Sequence, residues 1–368
     1  MTPRRKTRQI FVGNVAVGGD APISVQSMTT TKTEDVVATL EEIHRLQEAG
    51  CEIVRVAVPR ERDALALGKI RSQIAIPLIA DIHFDYRLAL MALDQGVDCI
   101  RLNPGNIGSS DRVKEVVKAA RSRSVPIRIG VNAGSLEEDL LDQYGYPTAE
   151  AMVESAMRHV RILEELEFFD IKISIKASGV PLMVEAYRKL SAACDYPLHV
   201  GVTEAGMPPS GTIKSAIGIG MLLAEGIGDT IRVSLTADPV EEVQAGYDIL
   251  RTLNIRAKGA LIVACPSCGR IEVDLFKLVD EAKARLAHVE KPITVSILGC
   301  AVNGPGEARE ADIGIAGGKN GGLLIRKGKI IGRYGEGELV DALVSAVDEM
   351  VAAGDFGQEH GDGRVVAG

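Results

Sequence analysis

From the N-terminus to about residue 250 the chain repeats one hydropathic unit. A short β-branched run is followed by a polar turn and a longer segment with apolar residues at i, i+3 and i+4. The short runs read as strands at Ile23–Met28, Ile53–Val58, Pro77–Ile82, Cys99–Leu102, Ile127–Val131, Ile171–Ile175, Leu198–Val202 and Ile231–Leu235. Helical segments such as Glu34–Ala49, Tyr86–Gln95, Asp111–Arg121, Ala149–Glu165 and Pro239–Leu253 lie between them. Strands that alternate with helices build parallel βαβ units. Eight such strands over this length fit a closed (β/α)8 barrel of the TIM type better than a doubly wound sheet.

After Asn254–Lys258 the texture changes. Two apolar runs, Gly259–Cys265 and Ile293–Cys300, each end in a cysteine and flank a helical stretch at Asp274–His288. Short strands at Ala311–Ala316, Gly322–Arg326 and Lys329–Arg333, split by glycine turns, precede a helix over Glu338–Ala352. The expected organisation is a barrel domain over 1–254, a small α+β domain over 255–353, and a disordered Gly- and charge-rich tail over 354–368.

Strand ends carry the candidate chemistry, because active sites of such barrels form at the C-terminal ends of the strands. Those ends contain Arg55, Asp81 with His83, Arg101 with Asn103, and Arg128 with Asn132. The later ones contain Lys172 with Ser174 and Lys176, His199 with Glu204, and Arg232 with Ser234. Residues two apart on a strand share a face. The cations therefore converge on one mouth, where they would repel one another unless an anion with several charges sat among them. Arginine forks suit phosphate oxygens, and a diphosphate fits best. The competing reading pairs the cations with carboxylates inside the barrel, for which only Asp81 and Glu204 stand in comparable positions. His83 and His199 read either as proton donors or as core histidines, and Glu204 at the mouth as the strongest acid–base candidate.

Composition narrows the function. A net charge of −8, 4% aromatic residues and no Trp exclude a general nucleic-acid surface. No apolar run approaches the ~18 residues that span a bilayer. The basic start Met1–Arg8 is not followed by a signal-like apolar stretch, so a cytoplasmic protein is expected. Six cysteines are too few for a disulfide scaffold. Cys51, Cys99 and Cys194 are scattered and read as small buried residues, whereas Cys265, Cys268 and Cys300 cluster in the last third. Cys265-Pro-Ser-Cys268 puts two thiolates on one turn, and the Gly/Pro-rich bend after Cys300 brings Glu307 towards them. Three sulfurs and one exchangeable oxygen suit a [4Fe–4S] cluster better than structural zinc. A zinc-stapled barrel acting on a phosphorylated metabolite, and an iron–sulfur sensor or electron carrier, are the alternatives.

These residues resemble a known family. Cys265-Pro-Ser-Cys-Gly-Arg270 and Leu298-Gly-Cys-Ala-Val-Asn-Gly-Pro-Gly-Glu307 carry the resemblance in the second domain. In the barrel it rests on Gln26–Thr29, Ala80–Phe84, Arg101–Asn106 and Gly201–Gly206. Together they are similar to the 4-hydroxy-3-methylbut-2-enyl diphosphate synthases in their short bacterial form. The resemblance implies an oxidoreductase of the non-mevalonate isoprenoid pathway that opens 2-C-methyl-D-erythritol 2,4-cyclodiphosphate with two electrons and loss of water. Cys265, Cys268, Cys300 and Glu307 would hold the cluster. Arg55, Arg101, Asn103, Arg128, Asn132, Lys176, His199, Arg232 and Ser234 would bind substrate. Glu204 would handle a proton, supported by Asp81 and His83. A homodimer, with one chain's cluster domain closing on the partner's barrel, and flavodoxin or ferredoxin as electron donor are implied as well.

Overall fold

The computed structural model describes residues 2–300 and 311–355. It divides into two compact units, Met1–Leu253 and Asn254–Gly368. The expected tail falls mostly outside the described residues. Its first two positions do not: Gly354 caps the last helix in a left-handed turn (φ 69°), and Asp355 pairs with Arg326 and Lys327.

The first unit opens with a hairpin, β1 (Ile10–Val12) and β2 (Val15–Val17), joined at Gly13 in the left-handed region (φ 57°). Eight parallel strands follow: β3 (Ser24–Met28), β4 (Ile53–Ala57), β5 (Leu78–Asp81), β6 (Cys99–Arg101), β7 (Ile127–Asn132), β8 (Ile171–Lys176), β9 (His199–Val200) and β10 (Thr230–Ile231). They hydrogen-bond in the order β8-β7-β6-β5-β4-β3-β10-β9. The expected eight-stranded barrel is thus observed, nearly closed, with a helix after each strand.

The seam between β8 and β9 carries a single bridge, Ile173 to Leu198. Tyr187, from the Val180–Ala193 helix, completes it. Its buried hydroxyl accepts from Ile175 N (3.1 Å) and donates to His199 O, tying the two strands together.

Alternation along the strands separates two faces. Outward residues such as Val54, Val56, Ile129, Ile173 and Val200 are buried under the helices. Inward residues divide by height. At the bottom, Ile53, Ile79 and Cys99 pack against Ile10, Val12 and Val17, so the hairpin plugs that end with an apolar cluster. Sequence pattern missed this hairpin, because three-residue strands hold too little alternation to register. Higher up the lumen is polar. β9 and β10 are shorter than expected, since beyond Val200 and Ile231 the chain bends into the loops of the mouth.

The second unit is a five-stranded sheet, β11 (Ala260–Ala264), β12 (Ile293–Leu298), β13 (Ile313–Gly318), β14 (Gly321–Arg326) and β15 (Lys329–Tyr334), in sequential order. The first three strands are parallel and the rest antiparallel. Helices Leu275–Arg285 and Leu339–Ala353 contribute Leu278, Ala282, Leu343, Val347 and Met350 to a core with Val295, Ile297, Ile313 and Ile315.

Candidate active site

The C-terminal ends of the barrel strands enclose a cavity of about 140 Å³ lined by Arg55, Asp81, His83, Arg101, Arg128, Asn132, Ser174, Lys176, Thr203, Arg232 and Ser234. Five lysine and arginine side chains face it and one carboxylate, so basic groups far outnumber acidic ones on its wall.

Asp81 is shared. Its carboxylate lies 3.7 Å from Arg55 Nε and 3.3 Å from Arg101 Nη1. Burial alone would raise its pKa, but Arg55, Arg101 and Arg128 outweigh that and hold the carboxyl below its ordinary range. Asp81 is therefore ionised, and its structural role is to anchor two guanidinium groups. Arg55 also directs Nε and Nη2 at the Met28 thioether (3.0 and 2.9 Å), a weak acceptor used where carboxylates are few.

Arg101 lies across β7. Its Nη2 donates to Gly130 O at 2.6 Å, and a Cβ at Gly130 would stand 2.4 Å from Arg101 Nε. Only a residue without a side chain lets the guanidinium rest there. Asn103 grips the same glycine, donating from Nδ2 to Gly130 O (3.1 Å) and accepting from Gly130 N (2.8 Å). Its amide is thus used on the backbone, and Asn103 lies outside the cavity lining.

Of the lumen lysines and arginines, Arg128, Lys176 and Lys172 make no ion pair with a carboxylate among the described residues. Arg128 donates to Ser174 Oγ at 2.6 Å, while its Nε and Nη2 are buried without a partner. Lys176 ends against β9, where a Cβ at Gly201 would lie 3.0 Å from its Nζ. Burial, then the neighbouring Arg232, Arg128 and Arg55, pull its pKa well below the ordinary lysine value. Lys172 sits one step deeper with Nζ unpartnered, and burial lowers it to about 8.

Arg232 corrects the sequence reading of the carboxylates. Its Nη2 lies 3.3 Å from Glu242 Oε2, on the Pro239–Thr252 helix. Glu242 is buried (4% exposed) and also accepts from Ser27 Oγ and Leu235 N, each at 2.9 Å. A helix residue ten positions beyond Arg232 carries no signal at the strand ends themselves, where Asp81 and Glu204 are the only carboxylates the sequence offers. Glu204 is exposed on the β9 loop, outside the cavity lining, with its backbone in the left-handed region (φ 52°). A non-glycine residue there stores strain of a kind found at functional sites.

His83 lines the cavity; burial and the surrounding arginines lower its pKa despite Asp81. His199 does not line it. It is fully buried below Thr203 on the same face, with neither ring nitrogen bonded among the described residues, and burial beside Lys176 and Arg128 keeps it neutral. Ser174 lines the site on the face it was expected to share with Lys172 and Lys176, and Thr203 lines it although it was not singled out; the two-residue alternation continued from His199 would have found it.

In the second unit Cys265 and Cys300 follow β11 and β12, paired parallel strands, so both emerge at one edge of the sheet. Gly299 N donates to Cys265 Sγ at 3.2 Å. Cys268 is exposed on the turn between, and the backbone N–H of Arg270, followed by its side chain, lowers its thiol pKa. Among the described residues no three His, Cys, Asp or Glu side chains are gathered tightly enough for a single ion. A four-iron cube separates its thiolates more widely than one ion does. Glu307 lies outside the described residues. Cys51 and Cys99 are buried, and Cys194 is partly so; burial raises all three thiols.

Residues 7–247 match the GcpE TIM-barrel domain and residues 261–349 the GcpE protein C-terminal domain. The chain belongs to the GcpE family. Its relatives include several that bear the name 4-hydroxy-3-methylbut-2-en-1-yl diphosphate synthase (flavodoxin). That of Geobacter sulfurreducens is 61% identical over 95% of this chain and 99% of its own length. Those of Geobacillus thermodenitrificans and Symbiobacterium thermophilum are each 58% identical, over 94% and 96% of this chain and 93% and 95% of their own. Both GcpE units are therefore spanned. Among the described residues no helix is long and apolar enough to cross a membrane.

Proposed function

We propose that this chain catalyses the reaction for which its GcpE relatives are named. It would form 4-hydroxy-3-methylbut-2-enyl diphosphate by two-electron reduction of 2-C-methyl-D-erythritol 2,4-cyclodiphosphate, in the cytoplasm, with flavodoxin as donor. The observation that carries the reading is the cavity of five cations and one carboxylate. Such a site is built for a multiply charged anion. Ring opening breaks a carbon–oxygen bond and leaves the diphosphate with one more negative charge than the cyclic form. Fixed guanidinium groups aimed where that charge develops lower the barrier more than they tighten ground-state binding.

Arg55, Arg101, Arg128, Lys176 and Arg232 hold the diphosphate, with Asn132, Ser174 and Ser234 donating beside them. Asp81 keeps Arg55 and Arg101 in place. Glu204 delivers a proton to the departing hydroxyl, which leaves as water, and His83 borders the same end of the cavity. Asn103 and His199 belong to the supporting structure rather than to substrate contact.

The donor set of the second unit fits a [4Fe–4S] cluster. Cys265 and Cys300 follow paired strands at one sheet edge with Cys268 on the turn after the first, a backbone N–H points at the Cys265 sulfur, and Cys268 is biased towards thiolate. Cys265, Cys268 and Cys300 would hold it, with Glu307 as fourth ligand. When bound, it supplies the two electrons one at a time. A homodimer in which the partner's cluster domain closes on this barrel completes the proposal.

Anaerobic purification with iron, sulfide and zinc analysis, followed by assay on the cyclodiphosphate with dithionite and a mediator dye, tests it. The expected result is about four irons and four sulfides per chain with turnover. Stoichiometric zinc without sulfide, in protein made under iron-replete conditions, would reject it.

A further inference from the structure

His159 is a buried histidine (3% exposed) on the Ala149–Glu165 helix, outside the cavity and with no part in the chemistry above. It lies between two loops of the barrel mouth. Its Nδ1 accepts from Gly105 N at 3.1 Å, in the short turn after β6. Its Nε2 stands 3.3 Å from Glu137 Oε1, in the loop after β7. The tautomer follows from these bonds: Nδ1 must offer its lone pair to a backbone N–H, so Nε2 carries the hydrogen that Glu137 accepts. Ser155 Oγ donates to the same carboxylate at 3.1 Å. Glu137 is accordingly held down at about 2, chiefly through its bond to His159.

The fit against Gly105 is close. A Cβ there would lie 2.8 Å from His159 Cε1, so the ring occupies the space a side chain would need. Two residues upstream, Asn103 exchanges its pair of bonds with Gly130, which also accepts from Arg101. Two residues beyond Gly130, Asn132 lines the cavity. The backbone that His159 holds at Gly105 is thus the backbone that sets Arg101 and Asn132.

We infer that His159 is a positioning residue for the Arg101–Asn132 wall of the anion site, locking the loops after β6 and β7 together through Gly105 and Glu137. The inference rests on the proposed anion site, and its test separates the two. Isothermal titration of the full-length protein with inorganic pyrophosphate measures the site without turnover. His159→Gln offers Glu137 a donor but leaves Gly105 N–H without an acceptor. His159→Asn places an oxygen near the position of Nδ1 but falls short of Glu137. His159→Gln should raise the pyrophosphate Kd roughly tenfold, and His159→Asn should recover most of that loss. In turnover with the cyclodiphosphate, His159→Gln should raise KM more than it lowers kcat.

Gly105→Ala is the second variant, because it pushes the loop away while keeping the histidine, and it should weaken binding as His159→Gln does. If the histidine variants melt earlier but bind pyrophosphate as the parent does, His159 only packs the helix and the inference falls. If the parent protein binds no pyrophosphate, the anion-site reading falls and takes the inference with it.

Discussion

Glu242 pairs with Arg232 at the cavity wall, with Oε2 and Nη2 3.3 Å apart, the carboxylate 4% exposed and the arginine side chain partly buried. The other Glu242 oxygen is fixed by Leu235 N, and Ser27 Oγ donates to Oε2. The carboxylate cannot swing away, so it holds the Nε and Nη2 edge of the guanidinium and leaves Nη1 free of it. Glu242→Gln keeps the shape and removes the charge. Chemical denaturation should show a loss of about 3 kcal/mol, the low end of the range for breaking a buried charge pair. Pyrophosphate gives the stranded Arg232 a new partner, so its thermal shift should be larger in the variant than in the parent. Equal shifts would mean that Arg232 does not face the anion.

Lys172 imposes a pH dependence whose sign follows from burial. Its ammonium titrates near 8 in the fold against an ordinary 10.5, because burial, and then Arg128 and Arg55, disfavour the charge. Between those values the unfolded chain holds more protons, so this residue makes stability rise with pH. Below about pH 8 the full penalty applies, of order 3 kcal/mol. Lys172→Met should therefore raise Tm at pH 7 and flatten the rise between pH 8 and 10.5. A variant less stable at pH 7 would show that the lysine has a counter-charge in the folded protein.

The barrel and its mouth were legible in sequence for a physical reason. Parallel strands under helices alternate on a period of two, and cations placed at that period near strand ends can point only into the lumen. Arg55, Arg101, Arg128, Lys176 and Arg232 follow from that pattern, and the structure brings all five to one cavity. What pattern could not supply is contact between distant parts of the chain. Glu242 reaches the site from a helix, and Asn103 turns its amide to Gly130 rather than to the lumen. His199 shares the lumen face of Thr203 but sits lower, and height in a barrel depends on register between strands, which one strand's sequence does not encode.

Tyr187 makes the seam between β8 and β9 testable. With one backbone bridge there and one backbone bond just beyond the strands, from Thr203 N to Ala177 O (3.3 Å), its hydroxyl adds two more, accepting from Ile175 N and donating to His199 O. Tyr187→Phe leaves a buried N–H and a buried carbonyl unpaired. Unfolding in urea should show a loss of about 2 kcal/mol. Amide exchange at Ile175 should quicken by more than at β4, far from the seam. A uniform change across the barrel would mean that the hydroxyl adds general stability without closing this joint.

Glu204 supplies the sharpest test of the proposed chemistry, because it is set apart from the anion-binding residues. It stands exposed beyond β9, its backbone held at φ 52°, and Lys214 Nζ donates to its carbonyl oxygen at 3.3 Å. Its carboxylate makes no ion pair among the described residues, so Glu204→Gln disturbs no neighbour and no cation that grips the diphosphate. Pyrophosphate affinity, Tm, and iron and sulfide content should all match the parent. Turnover of the cyclodiphosphate should fall by at least ~100-fold, the usual scale for losing a positioned proton donor. Substantial activity with all other properties intact would remove Glu204 from the mechanism and pass the proton to His83, the one titratable imidazole on the cavity wall among the described residues.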